Sequence, residues 1–224
     1  MQKILEKQYN PVVVKYTEQI NSMNAKSSAE FKKVLKNIKP QGNRLIELGC
    51  GAGDLIPYLQ GLSYICSGVD TSAEMVACAR DIDKANILVE DFAHTSFKDE
   101  SFDIVVSKWA IQTAYDIDAV YRECYRLLKK DGILVFLVVH PFRQFLEKKK
   151  KGKDYFTQEI VESRIFNGTI TVKEPSHTMT DYLSDYFLEN FLVTQISESF
   201  EFPGAEQINN DTYPTHLLVT AQKR

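Results

Sequence analysis

The sequence predicts a doubly wound α/β fold around a mostly parallel, seven-stranded sheet. A glycine-rich turn begins at Gly49, directly after an apolar run of strand length. Two acidic residues close later apolar runs: Asp70 lies 21 positions after Gly49, and Asp91 lies 21 positions after Asp70. Apolar runs that alternate with helical patterns in this way are typical of successive βα units, whose strands end at one edge of the sheet.

The first part of the chain supplies the parallel strands and the helices between them. Ser27-Ser28-Ala29-Glu30 predicts a capping box at the start of a helix that Pro40 ends, and Thr71-Ser72-Ala73-Glu74 predicts a second helix start. Another helix is expected from about Asp118 to a stop at Asp131-Gly132. Strands are expected at about 44–48, 64–69, 87–89, 102–106 and 133–139, and a further helix at about 54–59. The strand at 133–139 is apolar throughout, as a central parallel strand should be.

The alternation of strands and helices breaks after His140. The run Lys148–Lys151 predicts a solvated loop, and Asn167-Gly168 is typical of a hairpin turn, so 142–176 are expected to form an insertion. A helix at 178–190 and strands at 192–197 and 216–221 complete the sheet, with the last strand antiparallel. We expect a single domain over 1–224.

Composition limits the classes of function. A net charge of -3 and a pI near 5.9 give no global attraction for nucleic acid or an anionic membrane. No apolar run approaches the roughly 20 residues of a membrane helix, and the N-terminal residues lack the apolar core of a signal peptide. The four cysteines show no paired C-x-x-C spacing, which predicts reduced thiols in a cytoplasmic protein without a metal site. The expected assembly is a monomer or a homodimer.

The strand ends predict a site for a nucleoside-type cofactor. Glycines at 49, 51 and 53 let the backbone approach a ligand closely. A dinucleotide fingerprint requires glycine at position 54, but this residue is Asp54, which favours a zwitterionic or cationic ligand over a diphosphate. Asp70 is placed to accept hydrogen bonds from both ribose hydroxyls. Asp91 is placed to accept from an adenine amino group while the Phe92 N–H reaches a ring nitrogen, and Met75 would cover the adenine.

Taken together, these motifs resemble those of the class I S-adenosylmethionine (SAM)-dependent methyltransferases. The resemblance rests on the segments 47–53, 69–70, 90–92 and 101–107, and it extends from about Arg44 to Pro141. The subgroup it resembles most is the quinone-biosynthesis-like (type 11) group. It implies a Rossmann-like fold and methyl transfer from SAM, with S-adenosylhomocysteine as product, to an oxygen or nitrogen of a small-molecule acceptor. It also implies that 1–42 form a helical lid, 43–141 the cofactor-binding core, 142–176 a substrate lid and 177–224 the rest of the sheet.

The resemblance also implies roles for individual residues. The glycines would pass beneath the methionine part of the cofactor, and the Ser107 carbonyl would bind its amino group. Tyr9 and Tyr16 match loosely the tyrosines of an N-terminal lid, or else they pack structurally. The full set expected at the cofactor is Gly49, Gly51, Gly53, Asp70, Thr71, Met75, Asp91, Phe92, Ser107 and Tyr16.

The acceptor side is less constrained by motifs. Relatives often carry a histidine pair after the fourth strand, but this chain has Gln112 and Thr113 there. His140, at the end of the fifth strand, is then the candidate general base, with a structural histidine as the alternative. A base is required only if the acceptor must lose a proton. The expected acceptor-binding residues are Tyr9, Trp109, Gln112 and His177, and the other histidines are expected on a surface loop (His94) and in the last strand (His216).

Three other functions are consistent with the motifs. One is an RNA or protein methyltransferase of the same fold. Another is a nicotinamide-dependent oxidoreductase, which Asp54 disfavours. The last is a SAM-binding protein without catalytic activity.

Overall fold

A computed structural model of the chain describes residues 25–79, 82, 84–148, 151–165, 170–201 and 212–224. The strands are β1 (Arg44–Leu48), β2 (Ile65–Asp70), β3 (Asn86–Val89), β4 (Phe102–Lys108), β5 (Leu128–Val139), β6 (Ile160–Ile165), β7 (Ile170–Pro175), β8 (Phe191–Ser199) and β9 (His216–Lys223). Seven of them form one sheet in the order β3-β2-β1-β4-β5-β9-β8. The first five of that order pair in parallel, and β9 is antiparallel to both of its neighbours. The predicted doubly wound, mostly parallel sheet is therefore confirmed.

Helices cover both faces of this sheet. They are α1 (Ala25–Asn37), α2 (Ile56–Gly61), α3 (Ala73–Ala79), α4 (Ile117–Leu127), α5 (Pro141–Glu147), α6 (Met179–Tyr182) and α7 (Asp185–Asn190), with a 3₁₀ turn at Ile111–Thr113. Alternate residues of β1 serve opposite faces, as the pleat of a strand requires. Leu45 packs in the cluster that contains Phe31 of α1, whereas Ile46 packs in the cluster that contains Tyr121 of α4 and Phe187 of α7.

Two predicted element boundaries are wrong. The helix expected over 178–190 is divided, because Leu183 leaves the helical conformation and Ser184 caps α7 by accepting the Phe187 N–H at 3.1 Å. The helix stop expected at Asp131-Gly132 lies inside β5, where Asp131 has a φ of 61°. The register between β4 and β5 shifts here, so the Asp-Gly pair belongs to an irregular stretch of strand.

The capping box predicted at Ser27–Glu30 is also wrong. Ser27 lies within α1, and its backbone N–H donates to the Glu201 carboxylate at 2.9 Å. Glu30 accepts hydrogen bonds from His216 and Ser199 instead, at 2.8 and 3.0 Å. These contacts fasten α1 to β8 and β9, whose Ser199 and His216 lie 169 and 186 positions after Glu30.

The insertion after β5 contains α5 and the antiparallel pair β6–β7, whose last register pair is Ile165 with Ile170. The expected hairpin is thus present, although its turn at Asn167-Gly168 lies outside the described residues. Lys148, expected in a solvated loop, is buried, and its ammonium donates to the carbonyls of Asp154 and Thr157. Among the described helices, none is long and apolar enough to span a membrane.

Candidate active site

A cavity of about 320 Å³ opens at the carboxyl ends of β1 to β4, where the order of the strands reverses. Crevices at such switch points are the usual ligand sites of open α/β sheets. The lining comes from the segments after these four strands: Gly49 and Gly51; Asp70, Thr71 and Met75; Asp91, Phe92, Ala93 and His94; then Lys108, Trp109, Ala110, Thr113, Ala114, Tyr115, Asp116 and Ala119.

The three glycines of the turn after β1 serve different purposes. Gly49 has a φ of 72°, and a Cβ there would lie 2.2 Å from the Ala110 Cβ. Gly51 has a φ of 52°, and a Cβ there would enter open space at the cavity wall. Gly53, expected at the cofactor, does not line the cavity, and its Cβ would lie 2.4 Å from Ile82 Cδ1. Gly53 therefore permits close packing, whereas Gly51 keeps the cavity open.

Asp70 is held rigidly at the end of β2. Its Oδ2 accepts the Gly51 N–H at 2.8 Å, and its Oδ1 accepts the Ser72 N–H at 2.9 Å. Burial raises the pKa of this carboxyl, and the two backbone hydrogen bonds oppose that effect. Since each carboxylate oxygen has two acceptor positions, one on each oxygen remains for a ligand. This geometry suits a pair of adjacent hydroxyls, as in a ribose.

The segment after β3 forms the next part of the wall. The Asp91 carboxylate accepts the Ala93 N–H at 2.8 Å, and the His94 N–H donates to the Asp91 carbonyl at 3.0 Å. Phe92 lines the cavity beside them, as expected. His94 is exposed in the loop after β3, as expected, and it also lines the cavity.

After β4 the cavity lining begins at Lys108, one residue after the predicted Ser107. Ser107 is fully buried, and its hydroxyl donates to the Leu48 carbonyl at 2.9 Å, so it ties β4 to β1 without lining the cavity. Trp109 does line it, with a φ of 61° that is rare for a large side chain. Its ring packs edge-on against His216 of β9, with 6.0 Å between the centroids.

Two charged residues at this point were not predicted as functional. Lys108 lines the cavity, and Glu47 is buried in β1 with no partner for its Oε2 among the described residues. Burial raises the pKa of Glu47 to about 8 despite attraction to Lys108, and burial lowers the pKa of Lys108. The Lys108 ammonium lies 3.4 Å from the Ser28 hydroxyl of α1. The sequence carried a signal for both residues, because each is a charged residue in a mainly apolar strand: Glu47 lies within β1, and Lys108 ends β4.

Of the expected acceptor residues that the structure describes, only Trp109 lines the cavity. Gln112 is buried in the 3₁₀ turn, and its carbonyl accepts a hydrogen bond from His177 Nε2 at 3.0 Å. His177 is buried too, and burial lowers its pKa. Through this hydrogen bond it supports the 3₁₀ turn without lining the cavity. Tyr9 and Tyr16 lie outside the described residues.

The structure does not bring His140 to the cavity. Its Nδ1 accepts the Phe142 N–H at 3.1 Å and thereby caps α5, and its Nε2 lies 2.7 Å from the Glu198 carboxylate. Both ring nitrogens are therefore engaged in structural contacts. Burial lowers its pKa, and Glu198 opposes that shift. His216 lies in β9, as expected.

Residues 46–136 match the family described as "Methyltransferase domain". The chain is 32% identical over 128 residues to the arsenite methyltransferase of Aquipseudomonas alcaligenes, covering 50% of this chain and 37% of that protein. It is 31% identical over 158 residues to the ubiquinone biosynthesis O-methyltransferase of Bradyrhizobium diazoefficiens, covering 68% and 59%. The chain spans about half the length of the curated relatives it matches. A SAM-dependent methyltransferase structure from Listeria monocytogenes shares the fold, with a TM-score of 0.70, 21% identity and coverage of 88% and 99%.

The fold, the cavity and the match over residues 46–136 are similar to those of methyltransferase domains of the SAM-dependent class. The chain resembles the class I enzymes of the type 11 group, as its motifs predicted. The comparisons support an enzyme of this class with SAM as its cofactor. These findings favour a methyltransferase over the nicotinamide-dependent alternative.

Proposed function

We propose that this protein transfers the methyl group of SAM to an oxygen or nitrogen of a small-molecule acceptor. The observation that carries the proposal is the Asp70 carboxylate, which two backbone N–H groups aim into the same cavity that Gly51 keeps open.

The acceptor would lie against the wall that follows β4. The Trp109 indole N–H and the Tyr115 hydroxyl are buried there and lack hydrogen-bond partners within the described residues. Since buried polar groups are nearly always paired, these two groups are suited to a polar atom of the acceptor. Their rings also suit a planar acceptor, or an amine through cation–π attraction.

The reaction is an in-line displacement at an activated sulfonium, so alignment supplies much of the acceleration. Among the described lining residues, His94 is the single imidazole, and it lies beside Asp91, at the end assigned to the adenine. An acceptor that is nucleophilic without a histidine base, such as an acidic phenol or an amine, therefore fits this site best.

The insertion 142–176 is proposed to act as the substrate lid. The Gln158 side chain donates to the Tyr115 carbonyl at 3.1 Å, so the insertion contacts the acceptor wall directly. On the same side, the Tyr155 hydroxyl accepts the Met179 N–H at 2.8 Å. The single-domain division and the role of 1–42 as an N-terminal lid stay predictions, as do a cytoplasmic location and the monomeric or dimeric state.

The relatives named above differ in acceptor, and the cavity favours oxygen or nitrogen over arsenic. Arsenite binds proteins through thiolates. Cys50, Cys66 and Cys124 are buried, Cys78 is exposed, and none of the four lines the cavity. A site without thiols offers arsenite no ligand.

The proposal is tested with the purified protein in two stages. Calorimetric titration with S-adenosylhomocysteine should show binding at a single site. A panel of phenols, amines, arsenite and bulk tRNA, each with radiolabelled SAM, should then show label in a phenol or an amine. Label confined to tRNA, with salt-sensitive binding, would support the RNA methyltransferase alternative, and cofactor binding without any labelled acceptor would support a non-catalytic protein.

A further inference from the structure

The cavity extends across the sheet, and its two ends differ chemically. Asp70 and Asp91 lie at the ends of β2 and β3, so the nucleoside assigned to them leaves the ends of β1 and β4 for the amino-acid part of the cofactor. Strands β2 and β4 flank β1 and are therefore about 10 Å apart. This separation is comparable to the reach of the amino-acid chain from the ribose. That chain ends in a zwitterion, with one α-ammonium and one α-carboxylate.

Lys108 supplies a positive charge at this end. Among the described residues that line the cavity, it is the only lysine or arginine. Glu47 pairs with Val106 in the parallel register, and Lys108 lies two residues after Val106, so the Glu47 and Lys108 side chains leave the sheet on the same face. The contact of the ammonium with the Ser28 hydroxyl, at 3.4 Å, is near the limit of a hydrogen bond.

We propose that Lys108 binds the α-carboxylate of SAM and so recognises the amino-acid end of the cofactor. This inference rests on the proposed function, because it concerns the same cavity. Attraction to Glu47 within the sheet raises the pKa of the ammonium without offsetting the effect of burial, whereas a bound carboxylate would pair with it from the cavity side. A lysine is suited to this role because its ammonium carries three donors on a flexible stem.

The electrostatics around Lys108 agree with this assignment. Burial lowers the pKa of Lys108, which shows that its charge is not fully compensated by the groups around it. Nearby Lys32 lowers that pKa further, while Glu47 and Asp54 raise it. A ligand carboxylate at this position would relieve the imbalance, since an ion pair in a partly buried site is attractive.

The experiment compares two ligands that differ in the proposed contact. S-Adenosylhomocysteine carries the amino-acid end, whereas 5′-methylthioadenosine has the same nucleoside and thioether without it. In Lys108→Met we expect the Kd of S-adenosylhomocysteine to rise about 10- to 100-fold, as for a lost charged hydrogen bond. The Kd of 5′-methylthioadenosine should change less than about twofold, which also shows that the variant is folded.

Two further variants complete the test. Lys108→Arg should recover part of the affinity for S-adenosylhomocysteine, because it restores the charge. Lys32→Met removes a neighbouring charge that does not line the cavity, and it should leave both ligands unaffected. Equal weakening of both ligands by Lys108→Met, or weakening of neither, would overturn the proposal. Failure of the wild-type protein to bind either ligand would overturn the proposed function instead.

Discussion

The side-chain carbonyl of Gln144 accepts the backbone N–H of His177 at 2.9 Å. The amide nitrogen of the same side chain donates to Glu174 Oε1 at 3.0 Å and to the Pro175 carbonyl at 3.1 Å. His177 in turn donates through Nε2 to the Gln112 carbonyl, in the turn beside the acceptor wall. One buried amide therefore joins α5, the end of β7 and the segment that supports the cavity.

Replacing Gln144 with Met should affect acceptor binding but not cofactor binding. The change leaves three buried polar groups without their partner, which should lower the free energy of unfolding by roughly 2–4 kcal/mol. For a chain of this size the melting temperature should fall by roughly 5–15 °C. The acceptor KM should rise several-fold, because the 3₁₀ turn loses support, while the Kd of S-adenosylhomocysteine stays constant.

Ser163→Ala is the matched control for this variant. The Ser163 hydroxyl donates to Glu147 at 2.6 Å and contacts Glu174 at 3.4 Å, so it stabilises the same insertion without touching His177. It should lower stability and leave the acceptor KM unchanged. If both variants raise the acceptor KM equally, Gln144 acts only through the stability of the insertion.

Glu174 should make stability depend on pH. This carboxyl is buried beside Gln144, Ser163, Arg143 and Glu147, and burial raises its pKa from the ordinary 4.5 to about 7. The folded protein thus binds one more proton than the unfolded chain between those values. Stability should fall as the pH rises from about 4.5 to about 7, by roughly 2–3 kcal/mol, and level off above.

Glu174→Gln isolates this contribution from those of other carboxyls such as Glu47. The free energy of unfolding is measured in urea at several pH values for both proteins. The difference, wild type minus variant, should decrease by roughly 2–3 kcal/mol between pH 4.5 and 7. A difference that does not change with pH would show that Glu174 titrates normally.

The glycines of the turn should separate packing from cofactor binding. Gly51→Ala strains a positive φ, at a cost of about 1–2 kcal/mol, and places a methyl group in the cavity, so S-adenosylhomocysteine should bind at least about tenfold more weakly. Gly53→Ala adds a clash with Ile82, so its loss of stability should be larger and its loss of affinity smaller. Thermal unfolding and calorimetry measure the two effects. Wild-type affinity in Gly51→Ala would contradict the assigned position of the cofactor.

Local sequence pattern predicted which strand ends line the cavity, for a physical reason. The carboxyl ends of parallel strands meet at one edge, so Gly49, Asp70 and Asp91 had to converge once their strands were recognised. The break before α7 also has a local signal in the sequence, since Ser184-Asp185 is a typical helix start.

The acceptor half depends on contacts between distant parts of the chain. The position of His140 suggested a base, but its role is decided by Glu198, 58 residues later. Lys148 is in a lysine run that looks solvated, yet two carbonyls of the folded loop bury its ammonium. Such partners follow from the tertiary structure and leave no periodic pattern in the sequence.

Asp70→Asn should weaken cofactor binding through the ribose. The variant loses the charge and one acceptor oxygen, which corresponds to roughly 1.5–3 kcal/mol, or at least about tenfold in Kd. Because the ribose is present in both ligands, S-adenosylhomocysteine and 5′-methylthioadenosine should weaken alike, in contrast to Lys108→Met. Asp116→Asn is the control, since Asp116 lines the cavity but caps α4 through Ala119, a role that Asn preserves. Unchanged affinity in Asp70→Asn would refute the ribose assignment.

His140→Asn should distinguish a helix cap from a general base. Asparagine can accept the Phe142 N–H as His140 Nδ1 does, so α5 should keep its cap. Loss of the contact between His140 and Glu198 should cost little free energy of unfolding, because the Glu198 side chain is half-exposed. The turnover number should stay within about twofold of wild type, whereas loss of a general base costs about 10²- to 10⁴-fold. His140→Ala should lower the free energy of unfolding by about 1 kcal/mol, because the cap is lost. If His140→Asn instead abolishes the acidic limb of the pH–rate profile while the melting temperature is kept, the imidazole takes part in proton transfer and reaches the acceptor only when the lid has moved.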